Sequence, residues 1–281
     1  MTSAYDLRAE RFSASGGTPE VLTSGGPIRR YDLAPVQFRD GRLLLQEFIA
    51  GRPRLLLGKP GENFVPLIET NEETAQPVAR LGNDEAAFIA GSPPSRSLAV
   101  ASVREGRIIR RFKATEGNDI TALAPSPDGK DLYYVSSGTI WSVPTQRGSP
   151  RKICAGDSVV VDPNGHDLII SVREQEHVRL ERVPLSGGPG QPIQLRGQLA
   201  LSANPLGPEA LNKDGKLVVA VVARNTYFFR LAILDLATGK FTQVPLNYAG
   251  DIVMPAWASD GGILATAALN RAHIWRFRPI H

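Results

Sequence analysis

Four aspartates stand at a recurring distance ahead of turn-forming pairs, and carboxylates brought together by such spacing could bind positive charge. Asp32 lies eight residues before Asp40, Asp119 nine before Asp128, Asp251 nine before Asp260, and Asp157 seven before Asn164. Carboxylates held in one concave opening focus the field and favour cations, amines or a basic peptide over anions. Calcium, which takes hard oxygen ligands, is the metal alternative. Each Asp could equally do no more than cap a turn, because its side chain bonds readily to nearby backbone.

Other chemistry-bearing residues do not assemble into a reaction centre. His166, His177, His273 and His281 lack the i,i+4 spacing of a zinc-binding helix, and a single Cys154 forms neither an intrachain disulfide nor a CxxC pair. No cofactor and no metal are expected. A Gly-x-Ser-x-Gly elbow is absent. Gly156-Asp157-Ser158 resembles part of an esterase nucleophile motif, yet no matched His-Asp pair follows, so it reads as a turn. Ser186 to Gly190 is rich in glycine but lacks the Gly-Lys-Ser/Thr ending of a phosphate loop. The densest basic run is Arg104, Arg107, Arg110, Arg111 and Lys113. Strand alternation divides it between two faces, which favours charge guarding an edge strand over an anion-reading patch. Trp141, Trp257 and Trp275 read as packed core rather than stacking platforms.

These residues need elements to position them, and composition limits which elements are available. The chain has 281 residues, 42% of them apolar and 21% charged, ample for a core and too apolar for disorder. Its 27 glycines and 22 prolines imply many turns and argue against a helical bundle. The net charge of +4 arises from 32 basic and 28 acidic residues spread along the chain, so nucleic-acid binding is not implied. No apolar stretch reaches eighteen residues, and Met1 to Glu20 lacks the apolar core of a signal peptide; neither a membrane segment nor a leader is expected in this chain.

Internal repetition supplies the architecture. Ala124-Pro125-Ser126-Pro127-Asp128-Gly129-Lys130 leads into Leu132-Tyr133-Tyr134-Val135, and related turns recur at Asp40-Gly41, Asn83-Asp84, Asn164-Gly165, Asp214-Gly215 and Asp260-Gly261. From Gly41 to Gly261 there are five steps in 220 residues, an average of 44, which is the length of one four-stranded propeller blade. An Asx-Gly pair makes a hairpin because glycine adopts positive φ freely. The apolar runs that follow are continuous rather than alternating, as in strands covered on both faces. An all-β, single-domain, six-bladed propeller of four-stranded antiparallel blades is therefore expected. Its blades fall near 30–68, 74–113, 118–154, 157–196, 205–246 and 251–277, the last completed by 16–23. In this reading His273 to Phe277 forms the third strand of the last blade, the N-terminal strand at Glu20 to Leu22 closes it, and Asp6 to Phe12 is a spare third strand.

Ser126 to Lys130, the aromatic-rich third strands and Gly16-Gly17-Thr18-Pro19 together resemble the TolB-type β-propeller repeat over residues 16 to 277. Asp235 to Lys240 and Ile274 to Pro279 look most like the propeller modules at the C-terminus of bacterial serine/threonine kinases or winged-helix regulators. The resemblance implies a non-catalytic ligand- or protein-binding module, linked to signalling and extracytoplasmic, and the spare strand at Asp6 to Phe12 suggests a chain cut from a longer one. A protein, a peptide or a small cationic ligand is the implied partner, and a monomer is expected. In such a ring the connections between fourth and first strands reach the central channel, so Asp32, Asp119, Asp157 and Asp251 would line one mouth. The alternative is a propeller lyase or hydrolase with its active site in that mouth. His166 is the nearest candidate for such chemistry, but its hairpin lies at the opposite face.

Overall fold

The computed structural model describes residues 3–23, 35–112, 120–175, 177–223 and 228–272. Two strands open the chain, β1 (Ser3–Phe12) and β2 (Glu20–Val21). Blade one comprises β3 (Val36–Gln37), β4 (Leu43–Ile49), β5 (Arg52–Gly58) and β6 (Val65–Pro66). Blade two comprises β7 (Thr74–Leu81), β8 (Glu85–Ala90), β9 (Ser97–Ser102) and β10 (Arg107–Phe112). Blade three follows with β11 (Ile120–Pro125), β12 (Asp131–Ser136), β13 (Thr139–Pro144) and β14 (Arg151–Ala155). Blade four holds β15 (Ser158–Val161), β16 (Asp167–Glu174), β17 (His177–Pro184) and β18 (Gln191–Ile193). Blade five holds β19 (Ala200–Leu201), β20 (Lys216–Val222), β21 (Arg230–Asp235) and β22 (Lys240–Gln243). Finally β23 (Asp251–Trp257) and β24 (Ile263–Ala272) join the two opening strands in blade six. All six sheets are antiparallel and four-stranded, the architecture of a six-bladed β-propeller.

The turn chemistry works as the repeat implies. Asp128 Oδ1 accepts the Lys130 amide at 3.1 Å while Gly129 sits at φ +69°, and Asp260 Oδ1 likewise accepts the Gly262 amide at 3.0 Å. Such Asx bonds fix the hairpins that launch the second strands. Those strands are buried on both faces: Leu168, Ile169 and Ile170 of β16, and Leu217 to Ala220 of β20, are almost fully covered. Alternate residues face opposite neighbours. Thus Leu132 and Tyr134 of β12 pack with blade two, while Tyr133 and Val135 pack with blade four. Such clusters join each blade to the next, and Leu43, Leu45 and Leu22 with Ala258 and Leu264 close the circle between blades six and one.

Closure differs from the sequence expectation in one element. The third strand of blade six is β1, paired with β24 continuously from Ser3 opposite Ala272 to Phe12 opposite Ile263. Asp6 to Phe12 is therefore no spare strand. His273 to Phe277, read as occupying that position, lies outside the described residues. The fourth strand is β2, with Glu10 opposite Val21, so the N-terminus contributes two strands to the last blade. Arg11 reinforces this by pairing with Glu20 of β2 at 3.8 Å and with Asp260 of the β23–β24 turn.

Candidate channel mouth and channel crossing

Two of the four singled-out aspartates are described, and both stand where a blade delivers its chain to the inner strand of the next. Asp157 precedes β15 and is exposed; Asp251 begins β23 and is half-buried. Asp157 Oδ2 accepts the Arg173 amide at 2.7 Å, and Asp251 Oδ1 accepts the Phe229 amide at 2.7 Å. Arg173 lies near the end of β16 and Phe229 just before β21, so both bonds sit at the connections between second and third strands. The two carboxylates thus occupy the same end of the ring, in blades four and six. Each engages its amide through one oxygen. A turn-fixing role is real for both, and their second oxygens take no hydrogen bond from a described residue. Asp32 and Asp119 lie outside the described residues.

Nearer the other end of the inner strands, the channel is crossed. Arg80 of β7 donates from Nε (2.8 Å) and Nη2 (2.5 Å) to Oε1 of Glu209, which lies between β19 and β20. Blades two and five are three steps apart in a ring of six, so this pair joins opposite sides. Residues 202–209 form an irregular strap in place of a longer inner strand in blade five. Further bonds tie it down: the Ser202 amide donates to the Ala220 carbonyl at 2.9 Å, the Leu206 amide to Ser158 Oγ of blade four at 2.7 Å, and the Trp257 amide of blade six to the Glu209 carbonyl at 2.9 Å. Burial pushes the Glu209 carboxyl above its ordinary pKa, and the Arg80 guanidinium opposes that rise without cancelling it. On β23, where the strap's neighbours sit, a register shift falls between Val253 and Ala256, and Met254 adopts φ +49°, an uncommon conformation for a side-chain-bearing residue.

The remaining sequence candidates have structural roles. Ser158, the serine of the esterase-like fragment, is buried with its hydroxyl engaged by Leu206. In the basic run, Arg104 pairs with Asp84 (3.4 Å), Arg107 with Glu105 (2.7 Å), Arg110 with Glu85, and Arg111 with Glu72 (2.5 Å); Lys113 lies outside the described residues. That β10 edge is guarded by ion pairs. Trp141 packs on the cluster between blades two and three, and Trp257 packs between blades five and six with Nε1 donating to the Lys216 carbonyl at 2.9 Å; Trp275 lies outside the described residues. Cys154 is half-buried, and burial raises its thiol pKa. His166 is exposed in the β15–β16 hairpin. Among the described residues no group of three or more His, Cys, Asp or Glu is placed to hold a metal ion.

Sequence reasoning missed Arg80 and Glu209. Nothing local marks either residue, since 129 positions separate them and only ring closure brings them together. A signal existed in the strap, where Asn204-Pro205-Leu206-Gly207-Pro208 interrupts the strand pattern with residues that favour loops.

Comparison with known proteins locates this architecture. No protein-family model matches the chain, and no curated protein does. Among solved structures, a candidate TolB from Agrobacterium tumefaciens superposes with a TM-score of 0.70 at 15% identity, covering 94% of this chain and 99% of that one. TolB from Acinetobacter baumannii gives 0.58 at 12% identity, over 95% of this chain and 65% of that one. An oligogalacturonate lyase in complex with manganese gives 0.57 at 11% identity, over 94% and 90%. A puromycin-hydrolysing peptidase from Mycobacterium tuberculosis gives 0.56 at 16%, over 83% of this chain and 41% of that one. At these identities the likeness establishes the fold, a TolB-like six-bladed β-propeller.

Proposed function

We propose that this propeller is a non-catalytic binding or sensing module, and that its ligand is a basic peptide segment or small amine received at the mouth bearing Asp157 and Asp251. The observation that carries this reading is their placement. Both carboxylates stand at one end of the ring, oriented by backbone amides, with an oxygen of each left for a ligand. Asp32 and Asp119, outside the described residues, hold the comparable sequence positions ahead of their turns and are counted in the same acidic set by the repeat alone. A mouth of this kind attracts cations despite the chain's positive net charge, because local potential follows the nearest charges. Engagement of Ser158 within the fold favours binding over hydrolysis. We place the module outside the cytoplasm and attached to a signalling domain, on its resemblance to kinase-linked propellers.

Calorimetry with acetylated hexalysine amide tests this on the full chain, with calcium as a parallel arm. Asp157→Asn with Asp251→Asn keeps an oxygen acceptor for each amide while removing both charges. Peptide binding should weaken at least about tenfold in the double variant and fall steeply with salt. Undiminished binding would reject the mouth, and tight calcium binding with no peptide binding would reject the ligand class.

A further inference from the structure

We propose that Arg80 is a carboxylate receptor inside the central channel, and that Glu209 on the strap is its built-in occupant, exchanged for the carboxylate of an external ligand. Such a site is independent of the acidic mouth and takes the opposite charge.

The geometry is that of a receptor filled imperfectly. A guanidinium presents parallel N–H groups that match both oxygens of a carboxylate. Here Nε and Nη2 converge on the single oxygen Oε1, at 2.8 and 2.5 Å, and no described residue donates to Glu209 Oε2 or accepts from Arg80 Nη1. A free carboxylate can adopt the two-pronged arrangement that the strap does not deliver. Accessibility agrees with exchange. The two side chains keep 23% and 21% of their surface exposed, so the pair remains in contact with solvent in the channel while its partial burial strengthens the attraction above its value in water.

The two partners differ in how firmly they are held. Arg80 sits on β7, the channel-side edge strand of blade two, where it is paired with β8 opposite Ala86. Glu209 sits on an irregular segment joined to the blades by single hydrogen bonds, from the Ser202 amide to Ala220, from the Leu206 amide to Ser158 and from the Trp257 amide to the Glu209 carbonyl, and by the buried Leu206 side chain. Segments with few anchors open locally at less cost than sheets do. Exchange would therefore move the strap and leave the receptor in place. A ligand that competes against a tethered occupant binds with its intrinsic affinity reduced by the fraction of receptor left free.

The test titrates the full chain with acetate, with N-acetyl-dialanine acid, and with the corresponding dialanine amide, by calorimetry and NMR. Glu209→Gln keeps the side-chain shape and removes the competing charge. Saturable carboxylate binding is expected in the unmodified chain and at least about tenfold more tightly in Glu209→Gln, with no response to the amide. Arg80→Gln should abolish it in both backgrounds. Arg80→Lys, which keeps the charge and loses the fork, should weaken it and serves if Arg80→Gln fails to fold. Tighter binding of the peptide acid than of acetate would identify a chain terminus as the ligand, and equal binding a small carboxylate. The proposal is overturned if the unmodified chain shows no saturable binding up to about 100 mM, a range weaker than ordinary ligand affinities. It is also overturned if Glu209→Gln leaves affinity unchanged, or if Arg80→Gln or Arg80→Lys binds as tightly as the unmodified chain.

Discussion

Phe12 offers the sharpest measure of how the ring closes. It is the last residue of β1, stands opposite Ile263, and is 1% exposed within the cluster that includes Val244, Ile252 and Ala265. Its ring meets that of Tyr248 edge-on, with centroids 6.2 Å apart and planes at 86°. Removing a buried phenyl group costs about 3–5 kcal/mol through lost transfer energy and residual cavity. For a domain of this size each kcal/mol lowers Tm by roughly 2–4 °C, so Phe12→Ala should melt about 6–20 °C earlier. Val21 on the adjacent outer strand is 47% exposed, and Val21→Ala should stay within about 0.5 kcal/mol. Paired urea and thermal denaturation, followed by circular dichroism at one scan rate, give both values. A Phe12→Ala cost below about 1 kcal/mol would mean that β1 does not complete the sixth blade.

Two further outcomes test contacts elsewhere in the ring. Gly129 and Gly239 share φ +69°, but a Cβ would meet nothing within 4 Å at Gly129 and would lie 1.7 Å from the Gln194 carbonyl oxygen at Gly239. Gly129→Ala should cost about 1 kcal/mol and Gly239→Ala above about 3 kcal/mol in urea unfolding, and equal costs would refute the close approach of blade four's last strand to blade five. Asp128 is held down to about 2, first by the Ser126 hydroxyl and then by Lys130, and Asp235 to about 2 by the Lys216 ammonium and the Thr238 amide. Because both carboxyls are more acidic folded than unfolded, the stability they contribute is complete above the ordinary value of 3.8 and is lost as pH falls toward 2. Carbonyl NMR titration should place both midpoints near 2, with Ser126→Ala raising that of Asp128 alone; an unmoved Asp128 would refute the assigned cause.

The repeat was legible because its signal is local. Asp128-Gly129 makes its hairpin from two residues, and Leu217-Val218-Val219 announces a strand covered on both faces. The fourth strand at Arg107–Phe112 was readable to the residue for the same reason. β1 was harder. Arg8, Glu10 and Arg11 give it a polar composition, and its partner β24 lies some 260 positions away, so neither apolar pattern nor neighbouring sequence marks it as an interior strand. The channel illustrates the same limit. The shared end of the ring at which Asp157 and Asp251 stand was readable from their spacing to the turns, whereas Arg80 and Glu209 have no spacing to read, because their relationship exists only across a closed circle.

Pairing of β1 with β24 also sets an order of events during synthesis. Ser3 to Phe12 leave the ribosome before the rest of the propeller, yet their partner strand is complete only when Ala272 has been made. Blades one to five, each built from four consecutive strands, can form as their residues emerge, since chains fold unit by unit from the N-terminus. Throughout that interval β1 has no sheet to join, and its unpaired backbone is open to wrong partners such as the edge of another nascent chain. Charged residues along β1 then serve the growing chain before they serve the finished one, by keeping that strand in water until the ring can shut.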